Sequence, residues 1–193
     1  MQFLGHRFRT DPGVFHPVHF SSSRILATCL TERSLRGLRV LDMGTGAGPI
    51  AVAAAAHGAL VTACDVNPRA VALARENVAR NGYEVEVIES DLFGALAGRR
   101  FDLICFNVPF FARDPTTLLD AAFDAGRHLE TIHRFARECV HHLESNGRVA
   151  IIVSEDGDCA AIFEAFAGAG LVLERRRVGR KFLERFYVAW FRA

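Results

Sequence analysis

Four short runs hold groups suited to binding and aligning a ligand. The first is Val40-Leu41-Asp42-Met43-Gly44-Thr45-Gly46-Ala47-Gly48. Its glycines permit a sharp turn and a close approach of ligand to backbone. The spacing is G-x-G-x-G, not the G-x-G-x-x-G of dinucleotide enzymes. Gly44, Thr45, Gly46 and Gly48 are therefore expected to cradle a cofactor, with the Asp42 carboxylate at the strand end to receive a cationic group of it directly or through water. The second run is Cys64-Asp65-Val66-Asn67-Pro68. Asp65 falls about twenty residues past the first glycine, where an acid can bind ribose hydroxyls; it is also placed to cap the following helix. Val66 and Asn67 complete that contact. The third, Glu89-Ser90-Asp91-Leu92-Phe93, brings another acid to a strand end. The fourth, Phe106-Asn107-Val108-Pro109-Phe110-Phe111, pairs an amide with adjacent aromatics.

Alternating elements position these runs. Apolar, strand-like segments are read at Leu38–Met43, Leu60–Asp65, Glu84–Ser90, Phe101–Phe106 and Arg148–Ser154, with helices at Pro49–His57, Pro68–Arg80, His128–Leu143 and Cys159–Ala169. Pro68 suits a first helical position and Asn81-Gly82 a helix end. Repeated strand–helix–strand units predict a doubly wound, Rossmann-like α/β fold with a mostly parallel sheet and helices on both faces. Leu171–Val178 and Phe182–Phe191 are separated only by Gly179-Arg180-Lys181, so they are read as an antiparallel C-terminal hairpin. Residues 1–36 are expected to form an N-terminal cap over the ligand-binding edge of a single domain, 37–193. Removing residues 1–20 is expected to leave the sheet folded.

The 193 residues are half hydrophobic and carry a formal net charge of +1, which excludes a field of one sign. Arg175, Arg176, Arg177, Arg180 and Lys181 form a local basic cluster, read as a solvated strand edge and turn. The five cysteines are odd in number and lack a C-x-x-C, which suits reduced thiols in a cytoplasmic protein. No metal site is expected, because neither cysteines nor histidines stand at ligand spacing with a supporting acid. No apolar run of membrane-spanning length occurs, and no signal peptide is read at the start.

From about Gly37 onward the chain resembles class I S-adenosylmethionine-dependent methyltransferases. The resemblance is to the small-methyltransferase, release-factor glutamine methyltransferase-like branch that carries Asn-Pro-Pro-Tyr. That branch modifies planar nitrogens: glutamine amides of proteins and exocyclic amines of nucleobases. Gly13-Val14-Phe15-His16-Pro17-Val18-His19-Phe20-Ser21 is similar to its entry segment, and Ala122–Leu129 with Arg134-Phe135 to the loop and helix of its glutamine-modifying group. Here Val108 replaces the first proline and Phe110 the tyrosine.

The resemblance implies S-adenosyl-L-methionine as cofactor, with its ribose at Asp65 and its adenine amino group at Asp91-Leu92. Asn107, bordering both cofactor and acceptor, would act with Pro109 and Phe110: the Asn107 side-chain oxygen and the Val108 carbonyl hold a planar amino group, and Phe110 stacks on it. His16, His19, Phe20 and Phe111 are expected on the substrate side. Partners would be the methyl acceptor, with room for a protein partner or a homodimer. A small metabolite or natural product is the alternative acceptor, with His16 or His19 as base. A nicotinamide oxidoreductase is disfavoured by the glycine spacing, Asp91 and the terminal hairpin. A non-catalytic subunit is disfavoured by the acids at successive strand ends.

Overall fold

The computed structural model describes residues 1–15, 22–181 and 184–193. His16, His19 and Phe20 therefore lie outside the described residues. The chain opens with a small hairpin, β1 (Gln2–Phe3) and β2 (His6–Arg7), then α1 (Ser22–Thr31). The main alternation follows as β3 (Arg39–Met43), α2 (Pro49–Ala56), β4 (Leu60–Asp65), α3 (Pro68–Arg80), β5 (Val85–Glu89) and β6 (Phe101–Asn107). It ends with α4 (Glu130–Cys139), β7 (Leu143–Ser154), α5 (Cys159–Gly168), β8 (Val172–Lys181) and β9 (Glu184–Arg192).

The seven-stranded sheet has the order β5-β4-β3-β6-β7-β9-β8. Strands β3 to β7 are parallel, and β9 runs antiparallel between β7 and β8. β3 pairs with β4 on one side and β6 on the other. The strand order reverses there, so a crevice opens beyond the carboxyl ends of these strands.

Both faces of the sheet are covered, as its apolar strands require. Alternate residues of each strand serve opposite faces. Val40, Ala63, Cys105 and Ile152 join the core with Leu26 and Leu30 of α1, α2 and Val71 of α3. Leu41, Cys64, Ile104 and Ile151 join the opposite core with Ile132 and Phe135 of α4 and Phe166 of α5. Asn67 caps α3 by accepting the Arg69 N–H, and Asp158 caps α5 through Ala161.

Two expectations need correction. The helix read over His128–Leu143 is shorter, because Leu129 takes a left-handed backbone before α4 and a single 3-10 turn, Val140–His142, follows it. His142 bonds the Arg99 carbonyl at 2.8 Å and stacks on Phe93, which turns the chain into an extended Leu143. β7 thus begins five residues before Arg148, with a register shift between its Phe101 and Leu103 pairings. The N-terminal segment is also more than a cap. Phe3 and Phe8 are 1% and 3% exposed within the core. Buried Asn77 of α3 accepts the Arg9 N–H and donates to the carbonyls of Arg9 and Ala47, tying this segment to the glycine loop.

Candidate active site

A cavity of about 280 Å³ opens at the carboxyl ends of β3 to β6. The glycine loop after β3 forms its floor. Gly44 has φ +62°, and a Cβ there would lie 2.9 Å from the Phe106 ring. Gly46 has φ +56° but faces open space. An open backbone facing a cavity is what a ligand resting on the loop requires. Gly44, Thr45 and Gly46 line the cavity. Gly48 lies behind it as the left-handed N-cap of α2.

Asp42 lies beneath the loop and not on the cavity lining. Its side chain is fully buried and does not line the cavity. One oxygen, Oδ2, accepts both the Thr45 hydroxyl at 2.7 Å and the Ala51 N–H at 3.0 Å. The other, Oδ1, faces the Cys105 thiol at 3.9 Å. Burial pushes the carboxyl up to about 7, against the hydrogen bonds from Thr45 and Ala51. Asp42 is a brace beneath the loop, held off the cavity lining by its bonds to Thr45 and Ala51.

Asp65, ending β4, does line the cavity, with Val66 and Asn67 beside it. Its Oδ2 accepts the Gly46 N–H at 2.8 Å and its Oδ1 the Asn67 N–H at 2.9 Å. Burial raises its pKa, and those backbone donors oppose the shift. An ionised carboxylate offers about four lone-pair sites, so Asp65 can keep these bonds and still accept from a ligand hydroxyl. Asp91 and Leu92 line the next wall. Asp91 is paired with Arg134 of α4 at 3.0 Å, while Leu92 holds a left-handed backbone, φ 48°, with its carbonyl accepting the Ser90 hydroxyl.

Asn107 and Pro109 line the side after β6. The Asn107 Nδ2 donates to Ser23 Oγ at 3.2 Å, which leaves Oδ1 as its accepting atom. The two phenylalanines that follow do not line the cavity. Phe110 lies against Gly157, where a glycine Cβ would come within 2.9 Å of it. Phe111 is bracketed by Arg113, 4.6 Å over its ring, and by backbone bonds with Phe123 and Ala125. The stacking wall expected of Phe110 is therefore not built in this structure, because that ring fills the junction with the loop after β7.

Sequence reading missed Ser23, Ile50, Leu118, Leu119 and Thr131 on the lining. No local spacing marks them, since they arrive from α1, α2, the segment between β6 and α4, and α4 itself. Phe15, from the entry segment, does reach the cavity, and its ring lies 5.3 Å from that of Phe123. Burial raises the pKa of the Cys64 thiol to about 12 and that of Cys105 well above its ordinary value, so neither serves as a nucleophile. Among the described residues no cluster of His, Cys, Asp and Glu could hold a metal ion.

The sequence pattern that defines the methyltransferase small domain matches residues 5–178. The chain belongs to the methyltransferase small-domain family. Within that family it is 34% identical over 160 residues to a Methanocaldococcus jannaschii protein named as a protein N5-glutamine methyltransferase, covering 80% of this chain and 79% of that one. It is 39% identical over 153 residues to the ribosomal RNA small subunit methyltransferase C of Salmonella choleraesuis; 78% of this chain is covered but only 41% of that relative. Among solved structures, a ribosomal protein L11 methylase from Lactobacillus delbrueckii subsp. bulgaricus superposes with TM-score 0.71 at 25% identity, over 96% of this chain and 85% of that one. The Thermus thermophilus 16S rRNA N2 G1207 methyltransferase, solved with AdoMet and guanosine, shares the fold with TM-score 0.67 at 21% identity, over 98% of this chain and 48% of that one. This methyltransferase small domain thus has the class I methyltransferase fold that the strand order displays. No helix among its described residues is long and apolar enough to cross a membrane.

Proposed function

We propose that this chain transfers a methyl group from S-adenosyl-L-methionine to a planar nitrogen, either a protein glutamine amide or a nucleobase amine. One observation carries the reading. Asn107, with its amide nitrogen held by Ser23, stands on the same cavity as the open Gly46 backbone and the Asp65 carboxylate. Bound there, S-adenosylmethionine would supply an activated methyl group on a sulfonium.

The chain's own residues then do the holding. Asp65 accepts from the ribose hydroxyls while keeping its bonds to Gly46 and Asn67. Asp91, beside Leu92, accepts from the adenine amino group, with Arg134 fixing its carboxylate from the solvent side. Thr45 and Gly46 support the remaining ligand along the loop. Asn107 Oδ1 orients the acceptor nitrogen and stabilises the positive charge it gains, while Val108 is buried and does not line the cavity. Pro109 shapes the same wall. No strong base is required before transfer, since the nitrogen can lose its proton afterwards. The relatives named for glutamine and for ribosomal RNA support both acceptor classes.

The five cysteines are all unpaired, which supports a reducing, cytoplasmic setting for the reaction. A protein partner or a second copy of the chain would supply recognition surface for a large acceptor.

Incubating the protein with methyl-labelled S-adenosylmethionine and fractionated cell extract tests the proposal. Label recovered as N-methylated glutamine in protein, or as an N-methylated nucleoside in RNA, is expected. Label confined to small molecules, or attached to oxygen or carbon, overturns it.

A further inference from the structure

We infer that Ser23 is a positioning residue for methyl transfer, anchoring the Asn107 amide so that its oxygen is left to accept from the substrate nitrogen. The inference rests on the reading that Asn107 aligns the acceptor. Asn107 is the last residue of β6, and its backbone is set by pairing with Ile152 of β7. Its terminal torsion is not set in that way. An amide rotor is broad and roughly two-fold, so the oxygen and the NH2 group can exchange places with little change of shape.

The two orientations differ in chemistry. With Oδ1 toward the cavity, the side chain accepts a hydrogen from an amino group and places negative density beside a nitrogen that becomes positive. With Nδ2 there, two donors face two donors, and the dipole opposes the charge developing in the transition state. Ser23 anchors the first of these states. In the structure its hydroxyl oxygen accepts from Nδ2 at 3.2 Å, which leaves Oδ1 free to accept, and removing the hydroxyl frees the amide to turn.

Ser23 is itself held firmly. It is 3% exposed in the first turn of α1, whose Leu26, Ala27 and Leu30 are buried in the core. On its other side α1 rests against the far end of the sheet, with Ile25 on Gly179 of β8. Ser23 also lines the cavity, so it acts at the site and not from a distance. The bond joins residues 84 positions apart, and through it α1 contributes to alignment as well as to cover.

A double-mutant cycle tests the assignment on the full chain, with the acceptor fraction that takes label from the wild-type protein. Ser23→Ala is expected to lower kcat by about 3- to 10-fold, the scale of one hydrogen bond. Its cofactor Kd and melting temperature should stay near wild type. In an Asn107→Ala background the same change should cost nothing further. Independently of activity, the Asn107 side-chain amide resonances, assigned by their loss in Asn107→Ala, should shift and exchange faster in Ser23→Ala. An undiminished kcat in Ser23→Ala while Asn107→Ala is slow, or equal losses in both backgrounds, overturns the role of Ser23 and leaves that of Asn107 standing. Wild-type turnover in Asn107→Ala removes both, and is told apart by that single variant.

Discussion

Asp65 and Gly46, 19 residues apart, are joined across the cavity floor by a hydrogen bond of 2.8 Å from the glycine N–H to the carboxylate. The carboxylate proposed to bind the ribose therefore also pins the loop on which the cofactor would rest. Asp65→Ala is expected to weaken S-adenosylmethionine binding by about 1.5–3 kcal/mol, the scale of hydrogen bonds to a charged group. It should also lower the melting temperature of the free protein. Calorimetry returning wild-type affinity would remove the ribose assignment, whatever happens to stability.

Asp42 makes stability depend on pH. Its pKa is raised from 3.8 to about 7 by burial, with Asp65 adding to the shift, so the folded state keeps a proton that the unfolded state releases. This contribution is fully present below pH 3.8 and is lost as pH rises through about 7, at up to about 1.4 kcal/mol per pH unit in that window. Asp42→Asn keeps one oxygen to accept from Thr45 and Ala51, as Oδ2 does now, and cannot ionise. Urea titrations across the window should show a flatter profile for Asp42→Asn and greater stability than wild type above neutrality. An unchanged slope would mean that Asp42 is already ionised in the fold.

For Asn107→Ala we expect turnover to fall by about 100- to 1,000-fold, the usual cost of losing one preorganised group in a transition state. Cofactor affinity should be spared, because Asp65, Asp91 and the glycine loop are untouched. Asn107→Asp retains an acceptor but adds charge, and should bind a neutral acceptor poorly. Melting temperature, affinity and turnover measured on one preparation separate this from loop damage, which would lower stability and turnover together.

The N-terminal segment should show two different sensitivities. Phe8→Ala empties a core position that is 3% exposed and should cost about 3–5 kcal/mol of stability. Phe15→Ala, at the cavity beside Phe123, should reduce turnover with a smaller loss of stability. Deleting residues 1–20 removes Phe3 and Phe8 together, so it should destabilise the sheet as well as expose the site. Thermal melts in which the deletion unfolds at the wild-type temperature would contradict the packing of that segment.

By itself the sequence determined the alternation of strands and helices, the antiparallel ending, and the acids at successive strand ends. Those features are local: period-2 apolar runs, Pro68 at a helix start, Asn67 as its cap and glycines after β3 each express their preference within a few residues. The family resemblance was legible for the same reason, since its motifs are contiguous. Tertiary structure alone decided which acid faces the cavity. Asp42, one residue before the end of β3, and Asp65, ending the adjacent β4, stand close in the sheet, yet one is sealed under the loop by Thr45 and Ala51 while the other reaches the cavity. It likewise decided that Phe110 packs on Gly157, that Phe3 and Phe8 belong to the core, that β9 enters between β7 and β8, and that Ser23 meets Asn107. Each of these depends on which surfaces meet once the sheet has closed, and contacts between residues so far apart leave no periodic mark along the chain.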